Sequence, residues 1–393
     1  MSARGNVLML LLDPYERDAR VEKQAGTLVR AGFEVTVLAW NRFGRSLERE
    51  LRDGTVIERV SIPSPSGSKW TFLLRLPALY WWFLQKGLRA DYDVLVAHEL
   101  YTWPVGLLLR LIRRKKTIFD AHEPYAEQIV GILPAALPFQ AWLRRLEALL
   151  ARRADLLMTV TPRMVTRYRN MGVRRIFYLP NLPRFRSPVP PSGSGGGPRS
   201  DVLVIGRIGS ITPRYSGVEP LIDLGKTLRG RGVPVRVVIG GPVMSGWEPE
   251  FRKLIADCAD YIDYIGVVPV SQVLGLVAQF HVVLSLRDGN TPKAEYGYST
   301  KIFDAMAVGV PVISTPVGED PYLVGETECG EIVPCPVDID ELADRVVALW
   351  RDESLRRRYG ENGIKAVRDR YSWDAYEPAF LAEFRTASRR SDE

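Results

Sequence analysis

The chain has 393 residues, of which 46% are hydrophobic and 25% are charged, a composition typical of folded domains and not of disordered or fibrous chains. Three cysteines and three histidines are too few and too scattered for a disulfide framework or a zinc site. The net charge is +7, but residues 1–183 hold 28 Lys and Arg against 17 Asp and Glu, whereas the rest hold 25 against 29. This asymmetry indicates either an anionic partner for the first half or ordinary solvation of its surface.

The first 20 residues combine a short apolar run with charged residues and lack the small-residue cleavage site of a signal peptide. We therefore expect a first strand there and, with so few cysteines, a cytoplasmic protein. The most apolar later stretch, residues 70–84, contains Arg75 and Pro77 and is shorter than the roughly 20 residues that span a bilayer. The sequence therefore predicts no membrane-spanning helix.

Short β-branched runs alternate with longer helical patterns along the first half, which begins NVLMLLL, DARVEKQAGTLVRAG, EVTVLAW. This alternation is typical of a parallel sheet with crossover helices. It stops at Pro183, and the Pro-, Ser- and Gly-rich residues 184–200 predict a linker or flexible loop. The alternation resumes with DVLVIG and continues over residues 201–371, before a last amphipathic helix within residues 372–393 that we expect to pack back on the first lobe.

These boundaries predict an α/β protein with two doubly wound, Rossmann-like lobes, residues 1–183 and 201–371. Ligands of such parallel sheets bind outside the carboxyl ends of the strands, where loops and helix N-termini converge. If the two lobes face each other, we therefore expect the main site in the cleft between them.

The densest group of candidate binding residues lies within residues 290–316, where small residues precede the predicted helix KIFDAMAVG. At such a helix N-terminus we expect the backbone N–H groups of Ser299, Thr300 and Lys301 to be free to bind phosphate. Lys301 adds a positive charge, and Asp304 offers a carboxylate to ribose hydroxyls one turn later. The pattern fits a nucleoside diphosphate, and equally a well-capped helix with a solvated Lys–Asp pair. The other candidate nucleotide-binding residues here are Gly297, Ser299 and Thr300.

This segment resembles the signature of the retaining glycosyltransferases of the GT-B fold in glycosyltransferase family 4, the glycosyl transferases group 1. Members carry an acidic residue, seven residues, a second acidic residue and then Ala-Met-Ala-x-Gly-x-Pro-Val-Ile, and residues 304–313 follow the second half. Tyr296 occupies the first acidic position. Either Glu295 replaces that carboxylate as a catalytic residue, or the chain belongs with members that carry Thr-Lys before the helix.

The resemblance extends over nearly the whole chain. A segment Asp-Ala-Arg-Val is similar to a helix of such enzymes, which implies that Asp18 and Arg20 bind the acceptor; a helix cap with a salt-bridged arginine is the alternative. A segment Asp-Ala-His-Glu that starts at Asp120 is similar to a strand end of one branch, where the histidine approaches the donor sugar. This implies a catalytic His122 and an acceptor-binding Glu123, against the alternative of a buried structural histidine.

In the second half, Gly206 and Arg207 end a predicted strand and resemble the turn that offers an arginine to the diphosphate. The planar guanidinium of Arg207 matches two phosphate oxygens, although a surface arginine in a turn is the alternative. Arg214 lies where members of the family often carry a lysine. Val267 follows Tyr-Ile-Gly at a position where a base, uracil or guanine, would rest.

The resemblance implies a hexosyltransferase-type enzyme (EC 2.4) that moves a sugar from a UDP- or GDP-sugar to a hydroxyl of a saccharide, a lipid-linked glycan or another small glycoside, in polysaccharide or glycoconjugate biosynthesis. It implies retention of configuration, no metal or other cofactor, and a leaving diphosphate that takes the acceptor proton. Lys301 and Arg207 would stabilise the charge on that leaving group. A nucleotide-sugar epimerase and a non-catalytic nucleotide-sugar- or nucleic-acid-binding protein remain the alternatives. We expect no nucleic-acid partner.

Tryptophans 70, 81 and 82 alternate with basic residues in one apolar stretch. Such a stretch lies either in the plane of an anionic bilayer interface or in the protein core with a basic rim. The first interpretation predicts peripheral contact with the cytoplasmic face of a membrane. The basic residues are Lys69, Arg75, Lys86, Arg89 and the run from Arg113 to Lys116.

Overall fold

The computed structural model describes residues 5–42, 44, 46–63, 69–184, 201–213, 215–244, 246–289 and 294–389. The chain divides into two compact units: the first lobe is residues 1–181 with 376–393, and the second lobe is residues 182–375. Each lobe has one sheet with crossover helices, so the predicted α/β class with two doubly wound lobes is confirmed. The predicted linker lies outside the described residues, apart from Arg184.

Fourteen strands form the two sheets within the described part of the chain. They are β1 (Asn6–Leu11), β2 (Glu34–Trp40), β3 (Arg49–Arg52), β4 (Thr55–Val60), β5 (Val94–His98), β6 (Lys116–Ala121), β7 (Leu156–Thr159), β8 (Ile176–Tyr178), β9 (Leu203–Ile208), β10 (Val235–Gly240), β11 (Ile262–Tyr264), β12 (Val282–Ser285), β13 (Val312–Ser314) and β14 (Gly330–Ile332). The first sheet has the order β3-β4-β2-β1-β5-β6-β7-β8, and the second has the order β11-β10-β9-β12-β13-β14. All neighbouring strands run parallel except β3 and β4.

The crossover connections between these strands are mainly α-helices, as parallel pairing requires. The helices are α1 (Ala19–Arg30), α2 (Lys69–Arg89), α3 (Glu99–Arg113), α4 (Tyr125–Ile132), α5 (Gln140–Ala151), α6 (Pro162–Asn170), α7 (Val218–Gly230), α8 (Glu248–Ala256), α9 (Val270–Val277), α10 (Thr300–Val308), α11 (Asp320–Thr327), α12 (Ile339–Arg351), α13 (Glu353–Asp369) and α14 (Trp373–Ser388). Short 3₁₀ helices span Tyr15–Arg17, Pro134–Phe139 and Ala294–Tyr296. Among the described residues, no helix is both long and apolar enough to cross a bilayer.

The central strands are buried along almost their whole length. In β1 and β6 every residue after the first is buried, and in β5 every residue is buried. Helices cover both faces of a parallel sheet, so its central strands have continuous apolar runs and not an alternating pattern. This is why runs such as NVLMLL and VLVAH were recognisable as strands.

Each sheet has a point where the strand order reverses. In the first sheet it lies between β1 and β5, and in the second between β9 and β12. The connections on the two sides of such a point leave in opposite directions, so a crevice forms at the carboxyl ends of the strands. His98 ends β5, and Arg207 stands next to the last residue of β9.

Helix α14 starts in the second lobe and then packs on the first. Phe384 meets Phe33 edge to face, with 5.5 Å between the ring centroids. Glu383 accepts a hydrogen bond from Arg175 at 2.8 Å. The chain end from Tyr376 therefore belongs structurally to the first lobe.

The antiparallel hairpin of β3 and β4 is not among the predicted elements. Its edge strand reads Arg-Glu-Leu-Arg and has exposed and half-buried residues in alternation, so it lacks an apolar run. The turn at Asp53 and Gly54 has positive φ at both residues, 48° and 80°. Asp-Gly is a strong hairpin signal for this turn and could have revealed the strand pair.

Candidate functional site

The first lobe has a buried polar cluster around Asp120, near the carboxyl end of β6. Burial by itself raises the pKa of this carboxyl group, but the charges of Arg20 and His122 outweigh it and hold the pKa well below its usual range. The cluster therefore carries a permanent negative charge at its centre. Asp120 accepts hydrogen bonds from Arg20 Nε (3.0 Å) and Nη2 (2.7 Å), Gln24 Nε2 (2.7 Å) and His98 Nδ1 (3.1 Å), and His122 Nε2 lies 2.9 Å from Oδ2.

His122 lies between two carboxylates. Its Nε2 faces Asp120, and its Nδ1 is 3.1 Å from Oε1 of Glu99. Burial disfavours the charged imidazole, but the charges of Asp120 and Glu99 outweigh it and raise the pKa of His122 to about 10. The imidazole is therefore a cation at neutral pH, and in this state neither ring nitrogen can accept a proton.

Glu99 is a functional candidate that the sequence reasoning missed. It directly follows β5 and has φ of 71°, which is uncommon for a residue other than glycine. The charge of His122 lowers the pKa of Glu99 against the opposing effect of burial. An acidic residue immediately after a buried strand was the available signal, because strand ends meet at one edge of the sheet.

The predicted acceptor-binding residues are held within the first lobe. Asp18 caps α1 through 3.0 Å hydrogen bonds from the N–H groups of Arg20 and Val21. The guanidinium of Arg20 joins Asp120 to the backbone oxygen of Leu179, 2.7 Å from Nη1. The observed geometry matches the alternative interpretation, a capped helix with a salt-bridged arginine. Acceptor contact by Asp18, Arg20 and the half-buried Glu123 stays a prediction.

His98, Asp120 and His122 are the three described residues whose ligand atoms lie close enough to share one metal ion. Both oxygens of Asp120 already accept hydrogen bonds from the guanidinium of Arg20. A divalent cation there would have to displace a positive charge that lies 2.7 Å from the carboxylate. The donor set therefore fits an arginine-bound carboxylate better than a metal centre.

The second lobe has a cationic site at the reversal point between β9 and β12, and Arg207 is the buried cation of this site. Arg207 is 1% exposed, and its Nη2 donates to the backbone oxygen of Ser210 at 2.9 Å. Its Nε and Nη1 are buried and donate to no residue that the structure describes. Burial lowers the pKa of Arg207 to about 10, partly offset by Glu219, so the group stays charged. An anion would satisfy these buried donors.

Lys301 forms the other side of this site. A Cβ atom built on Gly209 would lie 3.0 Å from Cε and 3.3 Å from Nζ of Lys301, so the ammonium lies over the turn that follows β9. Burial, together with the charges of Arg207 and Arg287, lowers the pKa of Lys301 to about 7. Two cations in one buried site repel each other, and a bound anion would relieve this repulsion.

A buried ion pair positions the N-terminus of α10 beside this site. Asp320 is 2.7 Å from Nη2 of Arg287 and accepts a hydrogen bond from the N–H of Ser299 at 2.8 Å. The expectation of a free N–H at Ser299 is therefore wrong, because a buried carboxylate occupies that donor. Thr300 and Lys301 follow as the first two residues of the helix, where N–H groups have no partner within the helix.

Asp304 lies one turn further along α10 and is half-buried. Burial raises the pKa of this carboxyl group to about 6, partly offset by the charge of Lys301. A hydrogen bond from a ribose hydroxyl would replace the hydrogen bonds to water that the Asp304 carboxyl group loses on burial. This role of Asp304 stays a prediction, as does base contact by Val267, which is 70% exposed after β11.

The remaining predicted residues differ in their surroundings. A Cβ on Gly206 would lie 2.3 Å from the backbone oxygen of Val238, so this glycine is required by strand packing. Gly297 has open space at the same position. Glu295 is exposed in the 3₁₀ helix that precedes α10. Arg214 lies outside the described residues.

Replacing Gly209 with alanine is expected to displace Lys301 and to weaken binding of a diphosphate ligand about tenfold. The backbone φ is 142° and the new methyl group would press on the lysine side chain, so we also expect a stability loss of about 1–3 kcal/mol. The matched control is Gly232→Ala, with φ of 73° and open space around it. Titration calorimetry should show weaker diphosphate binding for Gly209→Ala and not for Gly232→Ala. Equal affinity in the two variants would show that Lys301 does not lie against the turn at Gly209.

Both lobes match glycosyltransferase family models. Residues 18–181 match the family described as "Glycosyl transferase 4-like domain", and residues 201–352 match the one described as "Glycosyl transferases group 1". Together the two matched segments include most of the chain.

Two curated relatives share moderate identity with the chain. It is 27% identical over 187 residues to the phosphatidyl-myo-inositol mannosyltransferase of Mycobacterium leprae, which is 48% of this chain and 46% of that protein. It is 27% identical over 191 residues to the capsular polysaccharide biosynthesis glycosyltransferase CapM of Staphylococcus aureus, which is 46% of each chain. The matches thus span less than half the length of either relative.

Solved structures resemble the chain over almost its full length. Sucrose-phosphate synthase from Thermosynechococcus elongatus has a TM-score of 0.77 at 16% identity, over 98% of this chain and 99% of that one. HepE from Anabaena in complex with UDP-glucose has a TM-score of 0.68 at 18% identity, over 97% and 100%. At such identities the likeness shows the fold. From the two family matches and this fold, the chain belongs to glycosyltransferase family 4, the glycosyl transferases group 1, and has the GT-B fold.

Proposed function

We propose that this protein is a retaining glycosyltransferase that moves a sugar from a nucleoside-diphosphate sugar to a hydroxyl group of an acceptor. The observation that carries the proposal is the pair formed by buried Arg207 and half-buried Lys301 in the second lobe. Arg207 keeps two donor atoms that bond to no described residue, and loss of hydration together with the charges of Arg207 and Arg287 lowers the pKa of Lys301. A doubly charged diphosphate complements this site in both charge and hydrogen bonding.

In this proposal the second lobe binds the donor. The diphosphate contacts Arg207, Lys301 and the N-terminus of α10, while Asp304 holds the ribose. The exposed side chain of Val267 supports the base. Uridine is our first choice of nucleoside, because HepE of similar fold was crystallised with UDP and with UDP-glucose.

The reaction breaks the bond between the anomeric carbon and the phosphate oxygen, and it forms a bond from the acceptor oxygen to that carbon on the same face. Negative charge develops on the leaving diphosphate, where Lys301 and Arg207 stabilise it without reorganisation. The acceptor hydroxyl transfers its proton to the leaving phosphate oxygen. In this proposal His122 does not serve as the base, because Asp120 and Glu99 raise the pKa of its imidazole to about 10 and keep it protonated.

We further propose that the first lobe binds the acceptor, a hydroxyl of a saccharide or lipid-linked glycan, and that the reaction needs no metal. The names of the curated relatives include a mannosyltransferase and a capsular polysaccharide enzyme, which supports an acceptor from glycoconjugate biosynthesis. The arginine-bound state of Asp120 supports the absence of a metal from the first-lobe cluster.

The test is a thermal-shift and turnover panel with UDP-, GDP-, ADP- and dTDP-sugars, with and without EDTA. A donor at 100 times its dissociation constant should add about 2.7 kcal/mol of stability. We expect one nucleotide class to stabilise the protein, no effect of EDTA, and a product with the anomeric configuration of the donor. Isomerised nucleotide sugar would instead identify an epimerase, and tight binding without turnover on any acceptor would identify a binding protein.

The affinity for the nucleotide sugar is expected to fall as the pH rises above about 7. The unliganded pKa of Lys301 is about 7, and a bound diphosphate raises it because the opposite charge favours the ammonium. Binding therefore takes up a proton above this pH, and the dissociation constant should rise by up to tenfold per pH unit. Titration calorimetry between pH 6 and 9 measures this slope. In Lys301→Met the slope should disappear, and a flat profile in the wild type would contradict the assignment.

A further inference from the structure

Exposed apolar side chains are concentrated on the first lobe where the 3₁₀ helix Pro134–Phe139 leads into α5. Five large side chains here are each between 50% and 63% exposed, although they belong to a chain with well-buried cores. Contiguous exposed apolar side chains mark interaction sites in soluble domains. We call this surface the α5 face, and its apolar members are Leu133, Leu137, Phe139, Trp142 and Leu149.

The α5 face is a regular helical stripe within α5. Trp142, Arg145 and Leu149 are three and four residues apart, so they point to the same side of the helix. The opposite side packs on the lobe through Glu147 and Ala148, both buried. Trp142 and Leu149, the large exposed apolar side chains of α5, therefore share one side of the helix.

Charge is segregated across the same segment. Residues 133–153 contain four arginines and a single acidic residue, Glu147. Glu147 points inward, where it accepts hydrogen bonds from Arg167 at 2.8 Å and from the hydroxyl of Tyr168 at 3.0 Å. Arg144 pairs with Glu127 at 2.7 Å. Arg145 and the two arginines after the helix are exposed, and Nε of Arg152 donates to the backbone oxygen of Met171 at 2.5 Å.

We propose that the α5 face docks on the surface of an anionic lipid bilayer. The aromatic and leucine side chains would enter the boundary between headgroups and acyl chains, and the arginines would contact the phosphate groups. Charge selects this occupant over a second copy of the chain, because every exposed charged side chain of residues 133–153 is an arginine and a two-fold interface would bring two such positive surfaces together.

This surface differs from the stretch that the sequence singled out. In α2, Trp81 is exposed, but Trp82 is half-buried and Lys86 Nζ lies 5.8 Å from its ring centroid. Among the side chains whose burial the structure describes, which in α2 begin at Leu74, the α5 face has five large exposed apolar side chains and α2 has two, Leu74 and Trp81. Lipid binding at this face needs no sugar donor, so the inference does not depend on the proposed function.

The test is flotation of the full chain with vesicles of phosphatidylcholine, alone or mixed with phosphatidylglycerol. We expect binding only to the anionic vesicles, and weaker binding as salt screens the arginines. Trp142→Gln should reduce the affinity about tenfold or more, and the double variant Arg145→Gln with Arg153→Gln about 30-fold. The matched control is Trp81→Gln, since Trp81 is equally exposed on the same lobe and should leave binding unchanged.

Three results would overturn the inference. They are no binding to anionic vesicles, an equal loss in Trp81→Gln and Trp142→Gln, and a lipid-free dimer of the wild type that Trp142→Gln dissociates. Light scattering in solution detects the last of these. The thermal shift with nucleotide sugars should be the same in all these variants, so a failure of the membrane inference is distinguishable from a failure of the proposed function.

Discussion

Replacing Lys301 with methionine is expected to lower kcat/KM for the nucleotide-sugar donor by about 10²–10³-fold, the usual effect of removing one preorganised group that stabilises a developing anion. Methionine keeps the length and much of the volume of the side chain over Gly209 but removes the charge. The loss should therefore appear in catalysis and donor binding and not in folding. Steady-state kinetics, with a thermal melt of the unliganded variant, measure the two quantities separately.

The control is Lys226→Met on α7 of the same lobe. Lys226 is exposed and lies 3.8 Å from Asp223, so its removal should leave kinetics and stability unchanged. Wild-type affinity for the donor in Lys301→Met would show that Lys301 does not contact the diphosphate. Arg207 would then be the remaining cation for the leaving group, and Arg207→Met would be the next variant to measure.

Replacing Asp120 with asparagine is expected to cost about 3–5 kcal/mol of stability, because it leaves the guanidinium of Arg20 buried without its carboxylate. For a lobe of this size the loss corresponds to a melting temperature lower by about 6–20 °C. Calorimetric unfolding near neutral pH measures it. Asp260→Asn is the control, since exposed Asp260 pairs with exposed Arg229 and should cost at most about 1 kcal/mol.

The same variant should change the pH dependence of stability. The folded pKa of His122 is about 10, above its ordinary value of 6.5, so its contribution is fully present below pH 6.5 and is lost as the pH rises towards 10. Wild-type stability should therefore decline over this range, and Asp120→Asn should decline less because the main charge that raises the pKa is gone. A loss below about 1 kcal/mol in Asp120→Asn, with an unchanged pH slope, would show that the cluster is not held by charge.

The architecture was predictable because its signals are local. A parallel sheet covered by helices needs continuous apolar strands, and these alternate visibly with helical patterns. The helix KIFDAMAVG was expected from residue 301 and is observed as Thr300–Val308. The hairpin of β3 and β4 was missed, since an edge strand with two arginines and a glutamate has no apolar run.

The candidate site was predictable only in part, for a related reason. Arg207 and Lys301 stand at a strand end and a helix start, which are features of short sequence segments. Asp320 was missed because its contact with Ser299 joins residues 21 positions apart on different elements. Glu99 was missed because its partner, His122, follows a different strand, 23 positions away.

The sequence by itself determined the two α/β lobes, the family and the positions of the phosphate-binding candidates, because periodicity, motif and helix start are all encoded over short stretches. Only the tertiary structure decided which charges are buried together. Strand order brings Asp120 to Arg20, 100 residues away, and packing places Lys301 beside Arg207 and α5 with its acid inward and its arginines outward. Burial and neighbouring charge set the pKa values and the exposed surfaces, and both depend on contacts that no local pattern contains.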